Sequence, residues 1–110
     1  MLRAMSGPPA SHEPLATRLV GTWQLLRCES PLEIEPGTRM EFRADAQLAY
    51  VIPTATGPLL VTLRWHMQDD QLHTVHQDGS NPVQVRTALG DEDVLTFDFG
   101  GPRAWYVRVT

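Results

Sequence analysis

Three histidines, His66, His73 and His76, fall within a single stretch of the chain, and imidazole is a common ligand of transition metals. On a strand, side chains alternate between faces, so His73 and His76 point to opposite sides and cannot chelate one ion together. His66 and His73 can face each other across a hairpin on the outer surface. Two histidines without a carboxylate or a cysteine make a poor metal site, and Arg64 nearby repels a cation. The sequence therefore predicts no metal.

Acidic clusters stand at 69–70 and 91–93, where paired carboxylates could do general acid–base chemistry. Both clusters fall at predicted turns, where aspartate hydrogen-bonds to the local backbone, so we interpret them as solvated turn residues. Cys28 is predicted to point outward with no base beside it, which favours a bystander over a nucleophile. The sequence contains no nucleophile elbow, phosphate-binding loop, dinucleotide fingerprint or zinc spacing. It predicts no catalytic residue and no cofactor.

The charge balance excludes other classes of function. The formal net charge is −4, all basic residues are arginine, and they form no basic stripe, so we expect no nucleic-acid partner. No apolar run approaches the length of a membrane span, and the first 18 residues lack the apolar region of a signal peptide. A single cysteine gives no internal disulfide. We expect a cytoplasmic protein with no membrane partner.

Any functional site must be positioned by β-strands, because most of the chain consists of short runs rich in strand-forming residues. Residues 1–18 are predicted to form a flexible tail in which 14–20 can make a short helical turn, and 19–110 form one domain. Eight candidate strands follow, separated by turn residues: 22–29, 38–43, 46–52, 58–67, 71–77, 82–89, 93–99 and 102–109. Because nearly all connections are short, sequential strands should pair as antiparallel hairpins. The predicted fold is all-β, a small eight-stranded antiparallel up-and-down barrel, which leaves no exposed edge.

In such a barrel the first, third, fifth and seventh connections lie at the same end. The long loops 30–37 and 53–58 should therefore rim one mouth together with 78–81. A barrel mouth is the natural entrance for a ligand. We expect a shallow cup there, because eight strands leave little room inside and the predicted interior is already rich in large side chains.

The first strand opens with Gly21-Thr22-Trp23, and the last carries Trp105-Tyr106-Val107-Arg108. With eight strands between them, the chain resembles the calycins, and most closely the short bacterial lipocalin-like domains. The resemblance covers about residues 19–109 and implies that Trp23 lies inside the closed end with Arg108 packed across it. The chain differs in its short length, in lacking a C-terminal helix and a disulfide, and in Ala46 where a turn glycine is expected.

Strand alternation gives a second set of expectations. With Trp23 inside, Arg27 shares its face and Cys28 points out. A two-residue turn at Asp69-Asp70 makes His76 point inward. A two-residue turn at Gly100-Gly101 makes Tyr106 and Arg108 point inward, whereas a three-residue loop through Pro102 would reverse them.

The outer face of the last strand raises a further question. Trp105, Val107 and Val109, with Leu26 on the neighbouring strand, form an apolar outer stripe. Either the N-terminal segment or a symmetric homodimer could cover it.

The preferred function is non-covalent binding of a small, partly apolar molecule at the mouth. The candidate ligand-binding residues are Tyr50, Trp65, His76, Phe99, Tyr106 and Arg108. Arg108 has two interpretations, a cation–π cap on Trp23 or an anchor for a ligand carboxylate assisted by Tyr106. The alternatives to binding are a calycin-like isomerase or cyclase using His76 or Tyr106 as acid or base, and a structural module that dimerises through the outer stripe.

Overall fold

The computed structural model of the protein describes residues 14–90 and 92–109. One short helix precedes eight strands: α1 (Leu15–Leu19), β1 (Gly21–Cys28), β2 (Arg39–Phe42), β3 (Gln47–Ile52), β4 (Leu59–Gln68), β5 (Gln71–His76), β6 (Val83–Leu89), β7 (Val94–Asp98) and β8 (Arg103–Arg108). The helix confirms the predicted turn after Pro14. The rest of the predicted tail, 1–13, lies outside the described residues.

The strands form a closed antiparallel barrel, as predicted. Each strand pairs with the next along the chain, and β8 returns to pair with β1. This closure gives every strand two hydrogen-bonded neighbours, so no edge is left for pairing with another chain. No helix in the described part of the chain is long and apolar enough to cross a membrane.

The last hairpin has the register that a two-residue turn predicts. Gly100 and Gly101 both have positive φ, at 94° and 143°, which glycine alone adopts without a steric cost. The Asp98 carboxylate accepts hydrogen bonds from both glycine N–H groups, at 2.9 and 3.0 Å. Phe97 therefore pairs with Ala104, and the side chains two residues further along β8 point inward.

The β4–β5 hairpin is also confirmed. The turn at Asp69-Asp70 sets Met67 opposite Leu72 and Leu63 opposite His76. Its first residue adopts a left-handed φ of 56°, which aspartate tolerates better than most side chains. The predicted pairing of His66 with His73 on the outer surface follows from the same register.

One prediction of facing in β1 is wrong. Leu25 pairs with Tyr106 but Arg27 pairs with Trp105, so a β-bulge at Leu26 inserts one extra residue. The bulge reverses the alternation beyond it. Arg27 consequently lies outside, with its guanidinium carbon 3.7 Å from the centre of the Trp105 ring, and Cys28 turns inward and packs against the core.

The core fills the barrel from its closed end upward. Helix α1 covers that end and buries Leu19 completely, and the Trp23 indole N–H donates to the Leu19 carbonyl at 2.9 Å. The fully buried large side chains are Leu19, Trp23, Met40, Phe42, Leu48, Leu72, Leu95, Phe97 and Tyr106. The opposite end, where β1–β2, β3–β4, β5–β6 and β7–β8 are joined, is the mouth.

Candidate functional site

A cavity of about 390 Å³ opens at the mouth of the barrel. Two of its walls come from the β1–β2 loop and from the end of β3, and the third from the β7–β8 hairpin. The lining residues are Glu33, Ile34, Glu35, Thr38, Tyr50, Ile52, Phe99 and Tyr106. The cavity lies on top of the filled core, at the end of the barrel that the loop lengths predict.

Two tyrosines form the polar floor of this cavity, and they are the only two tyrosines in the chain. Tyr106 is 2% exposed and Tyr50 is half-buried. Neither hydroxyl has a hydrogen-bond partner among the described residues, although a buried phenol usually finds one. The two tyrosines therefore line the same cavity, and Tyr106 is the one whose hydroxyl is buried without a partner in the described part of the chain.

Burial changes the acidity of both phenols. It raises the pKa of Tyr50 to about 12, because the phenolate would lose its hydration. Burial also raises the pKa of Tyr106, and the neighbouring Tyr50 and Cys28 raise it further, since their anionic forms would repel a phenolate. Both side chains are thus neutral donors near neutral pH.

The walls above the tyrosines are apolar. Ile34 and Ile52 are half-buried, and Phe99 is 39% exposed at the rim. The Phe97 ring lies beneath, 6.2 Å from the Phe99 ring in an edge-on arrangement and 5.4 Å from the Tyr106 ring. Phe97 thus packs against both of the aromatic residues that line this side of the cavity, Phe99 and Tyr106.

The structure brings three of the six candidate residues, Tyr50, Phe99 and Tyr106, to the mouth cavity. Trp65 lies apart from it, 7% exposed, with its ring 5.0 Å from the ring of Phe42. Its indole N–H donates to the carbonyls of Arg43 and Gln47 at 3.2 and 3.1 Å. Trp65 therefore closes the β2–β3 turn at the other end of the barrel.

Arg108 also lies at the closed end. Its guanidinium carbon is 4.3 Å from the centre of the Trp23 ring, and its Nη atoms donate to the carbonyls of Val20 and Arg18 at 3.1 and 2.7 Å. A further contact of 3.5 Å joins its Nε to the Asp93 carboxylate. This is the cation–π cap, and Arg108 does not share a cavity with Tyr106.

His76 is half-buried at the end of β5 but does not line the mouth cavity. Its backbone closes the β5–β6 turn: the His76 amide donates to the Ser80 carbonyl at 3.0 Å, and the His76 carbonyl accepts from the Gly79 amide at 2.8 Å. Asp78 in that turn has a lowered pKa, because the Ser80 hydroxyl and amide donate to its carboxylate. His76 lies at the rim near the Asp78 carboxylate, and its side chain forms no hydrogen bond among the described residues.

The other two histidines stack on the outer surface. The rings of His66 and His73 are parallel within 8° and 4.6 Å apart, beside a surface groove that also touches Val75, Pro82 and Val83. No group of three metal-ligating side chains occurs in the described ranges, 14–90 and 92–109. The pair is packed as a cross-strand contact.

Sequence reasoning identified the β1–β2 loop as part of the mouth but missed its individual residues. Glu33, Ile34, Glu35 and Thr38 line the cavity, and nothing in an irregular loop indicates which way a side chain points. Strand alternation could have identified Ile52 as a lining residue, because it lies two residues after Tyr50 and therefore on the same face of the strand.

Comparison with known proteins supports the architecture alone. No family model matches the chain, and no curated protein matches its sequence. Among solved structures, the chain is similar to the crystal structure of an uncharacterized protein from Bacteroides eggerthii DSM 20697, with a TM-score of 0.65 and 9% identity. The match covers 82% of this chain and 98% of that one. The chain is thus an eight-stranded antiparallel β-barrel, and a solved structure has a similar fold.

Proposed function

We propose that the protein is a lipocalin-like domain that binds a small, partly apolar molecule non-covalently in its mouth cavity. The observation that carries the proposal is Tyr106, which lines the mouth cavity, is 2% exposed, and has no hydrogen-bond partner for its hydroxyl in the described part of the chain. A buried polar group without a partner is costly, by about 1–3 kcal/mol. A ligand atom that accepts a hydrogen bond there would remove that cost.

The dimensions of the cavity support binding of a small molecule. Its volume of about 390 Å³ falls within the range of ligand-binding sites in proteins, roughly 300–1,000 Å³. The combination of apolar walls with a few fixed polar groups is typical of such sites. Ile34, Ile52 and Phe99 supply the apolar contact, and the two phenols supply orientation.

The lipocalin-like part of the proposal is supported by the closed end. Gly21 and Trp23 open β1, and Arg108 from the last strand lies across the Trp23 ring. This is the arrangement that the resemblance implied for the calycins.

Binding is favoured over the isomerase or cyclase alternative by the state of the tyrosines. A general acid or base works best when its pKa lies near the operating pH, and burial moves both phenols away from that range. His76, the other candidate, does not line the cavity. Dimerisation through the outer stripe has weaker support, because Arg27 covers the Trp105 ring.

The test is a calorimetric titration with phenylbutanol, an uncharged molecule with an aromatic body and one hydroxyl. Wild-type protein should bind it with a stoichiometry of one, and Ile52→Trp should bind at least tenfold more weakly because the indole fills the cavity. Val51→Trp is the matched control, since Val51 is the preceding residue, points outward and is 38% exposed.

Equal binding by wild type and Ile52→Trp, or no binding by wild type, contradicts the proposal. If Ile52→Trp does not fold, Ile34→Trp blocks the same cavity from the loop. Circular dichroism and thermal melting establish that each variant is folded before the titration.

A further inference from the structure

Two carboxylates at the rim of the mouth cavity have no counter-ion among residues 14–90 and 92–109. Glu33 and Glu35 both line the cavity and both are exposed. Neither forms an ion pair within the described residues. By contrast, Glu29 contacts Arg103 at 3.7 Å and Glu41 contacts Arg43 at 3.3 Å, so other glutamates of the barrel do pair with arginine.

No positively charged side chain lines the cavity in the part of the chain that the structure describes. Arg108, which could have held a ligand carboxylate, makes all its contacts at the opposite end of the barrel. Arg103 is near the mouth but is paired with Glu29. Of the described residues, an anionic ligand would therefore meet two like charges and no opposite one, whereas a cation would meet two carboxylates that no described side chain neutralises.

Below the rim the polar groups have a different character. Tyr106 is more than nine-tenths buried, lines the same cavity and has no hydrogen-bond partner in the described part of the chain, so it points to a ligand independently of the glutamates. The raised pKa of both phenols keeps them protonated, and a protonated phenol can donate a hydrogen bond to a ligand oxygen or to an aromatic face.

We propose that the ligand of the mouth cavity is a cationic amphiphile: an alkyl- or arylamine whose ammonium group lies at Glu33 and Glu35 and whose apolar body lies between Ile34, Ile52 and Phe99. This inference rests on the proposed function, because it specifies the ligand of the same cavity. It separates the protein from carriers of carboxylates such as fatty acids, which need a cation that this cavity lacks.

The experiment compares three probes that share one body and differ in one group: phenylbutylamine, phenylbutanol and phenylbutanoate. Calorimetric titration at neutral pH and low salt should rank them in that order, with the amine binding about tenfold more tightly than the alcohol, since two exposed carboxylates act on one charge. The carboxylate should bind more weakly than the alcohol. Added salt should weaken binding of the amine and leave that of the alcohol unchanged.

In the variant Glu33→Gln/Glu35→Gln the amine should no longer bind more tightly than the alcohol, and each single variant should lose about half of that preference. Glu92→Gln is the matched control, because Glu92 is an exposed glutamate in the β6–β7 turn at the closed end. It should keep the full preference for the amine. Should the double variant fail to fold, the two single variants carry the test, and the salt series on wild-type protein shows whether the preference for the amine is electrostatic.

The two proposals fail in different ways. If the alcohol binds but the amine gains nothing over it, or if the preference survives in the double variant, the amine proposal is wrong and the binding function stands. If none of the three probes binds, the binding function itself is wrong, and the amine proposal falls with it.

Discussion

The guanidinium of Arg108 lies 4.3 Å above the ring of Trp23, between the last strand and the first. It can do so because residue 21 is glycine. A Cβ added to Gly21 would stand 2.6 Å from Arg108 Nη1, closer than real contacts allow, and the backbone there has a φ of 139°. The Gly-x-Trp sequence thus supplies the β1 side of the contact with Arg108: Gly21 leaves room for the guanidinium, and Trp23 provides the ring beneath it.

Gly21→Ala should destabilise the fold by about 2–4 kcal/mol, through backbone strain and displacement of Arg108. Chemical denaturation measures this change. Gly57→Ala is the matched control, because Gly57 also has a positive φ, 118°, but a Cβ there meets nothing within 4 Å. Equal losses in the two variants would show that the approach of Arg108 does not depend on Gly21.

Arg108→Met should lower the free energy of unfolding by about 2–4 kcal/mol, because it removes the cation over Trp23 and leaves the carbonyls of Arg18 and Val20 without a donor. Binding of phenylbutanol should not change, since Arg108 lies at the end opposite the cavity. If the Arg108→Met protein is folded but no longer binds phenylbutanol, the interpretation of Arg108 as a ligand anchor is favoured.

Tyr106→Phe should have opposite effects on stability and on binding. Removing a buried hydroxyl that has no partner among the described residues should raise the free energy of unfolding by about 0.5–1.5 kcal/mol. The same change should weaken binding of phenylbutanol about fivefold, because it removes a donor to the ligand hydroxyl. Denaturation and calorimetry on the same preparation check both. Lower stability together with unchanged binding would mean that the hydroxyl supports the fold and does not contact the ligand.

Stability should fall as the pH rises above 10. An unfolded tyrosine ionises near 10.0, while Tyr50 in the folded protein ionises at about 12 and Tyr106 has a raised pKa as well. The unfolded state therefore loses protons first, so the contribution of Tyr50, about 2 kcal/mol, is complete below pH 10 and is lost as the pH rises toward 12.

Spectrophotometric titration of tyrosine alongside alkaline denaturation checks this linkage. Both phenols should resist ionisation until the barrel opens. Ionisation of either near pH 10 in the folded protein would contradict the burial on which the cavity floor depends.

Much of the fold could be predicted because the turns fix the register. The two-residue turns at 69–70 and 100–101 determine which side chains of β5 and β8 face the barrel interior. The inward positions predicted for Tyr106 and Arg108 follow from the turn at 100–101. Ala46 has a turn conformation that the sequence does not reveal. It adopts a φ of 71°, at a position where glycine is the expected residue.

The candidate site was predictable only in part. The bulge at Leu26 reversed the facing of Arg27 and Cys28, and the sequence does not mark it, because neither Leu26 nor its two neighbours is a glycine or a proline. A prediction that a side chain faces inward also does not indicate its position along the barrel axis. Trp65 and Arg108 point inward as predicted but belong to the closed end, whereas Tyr50 and Tyr106 reach the mouth.

The most direct test of the binding site uses the fact that the chain has only two tyrosines and both line the cavity. Protein labelled with carbon-13 at the tyrosine Cζ alone should give two resonances, and titration with phenylbutanol should shift both along one saturable curve. Neither should shift in Ile52→Trp. Resonances that stay unmoved at concentrations where calorimetry detects binding would place the ligand elsewhere and contradict the account.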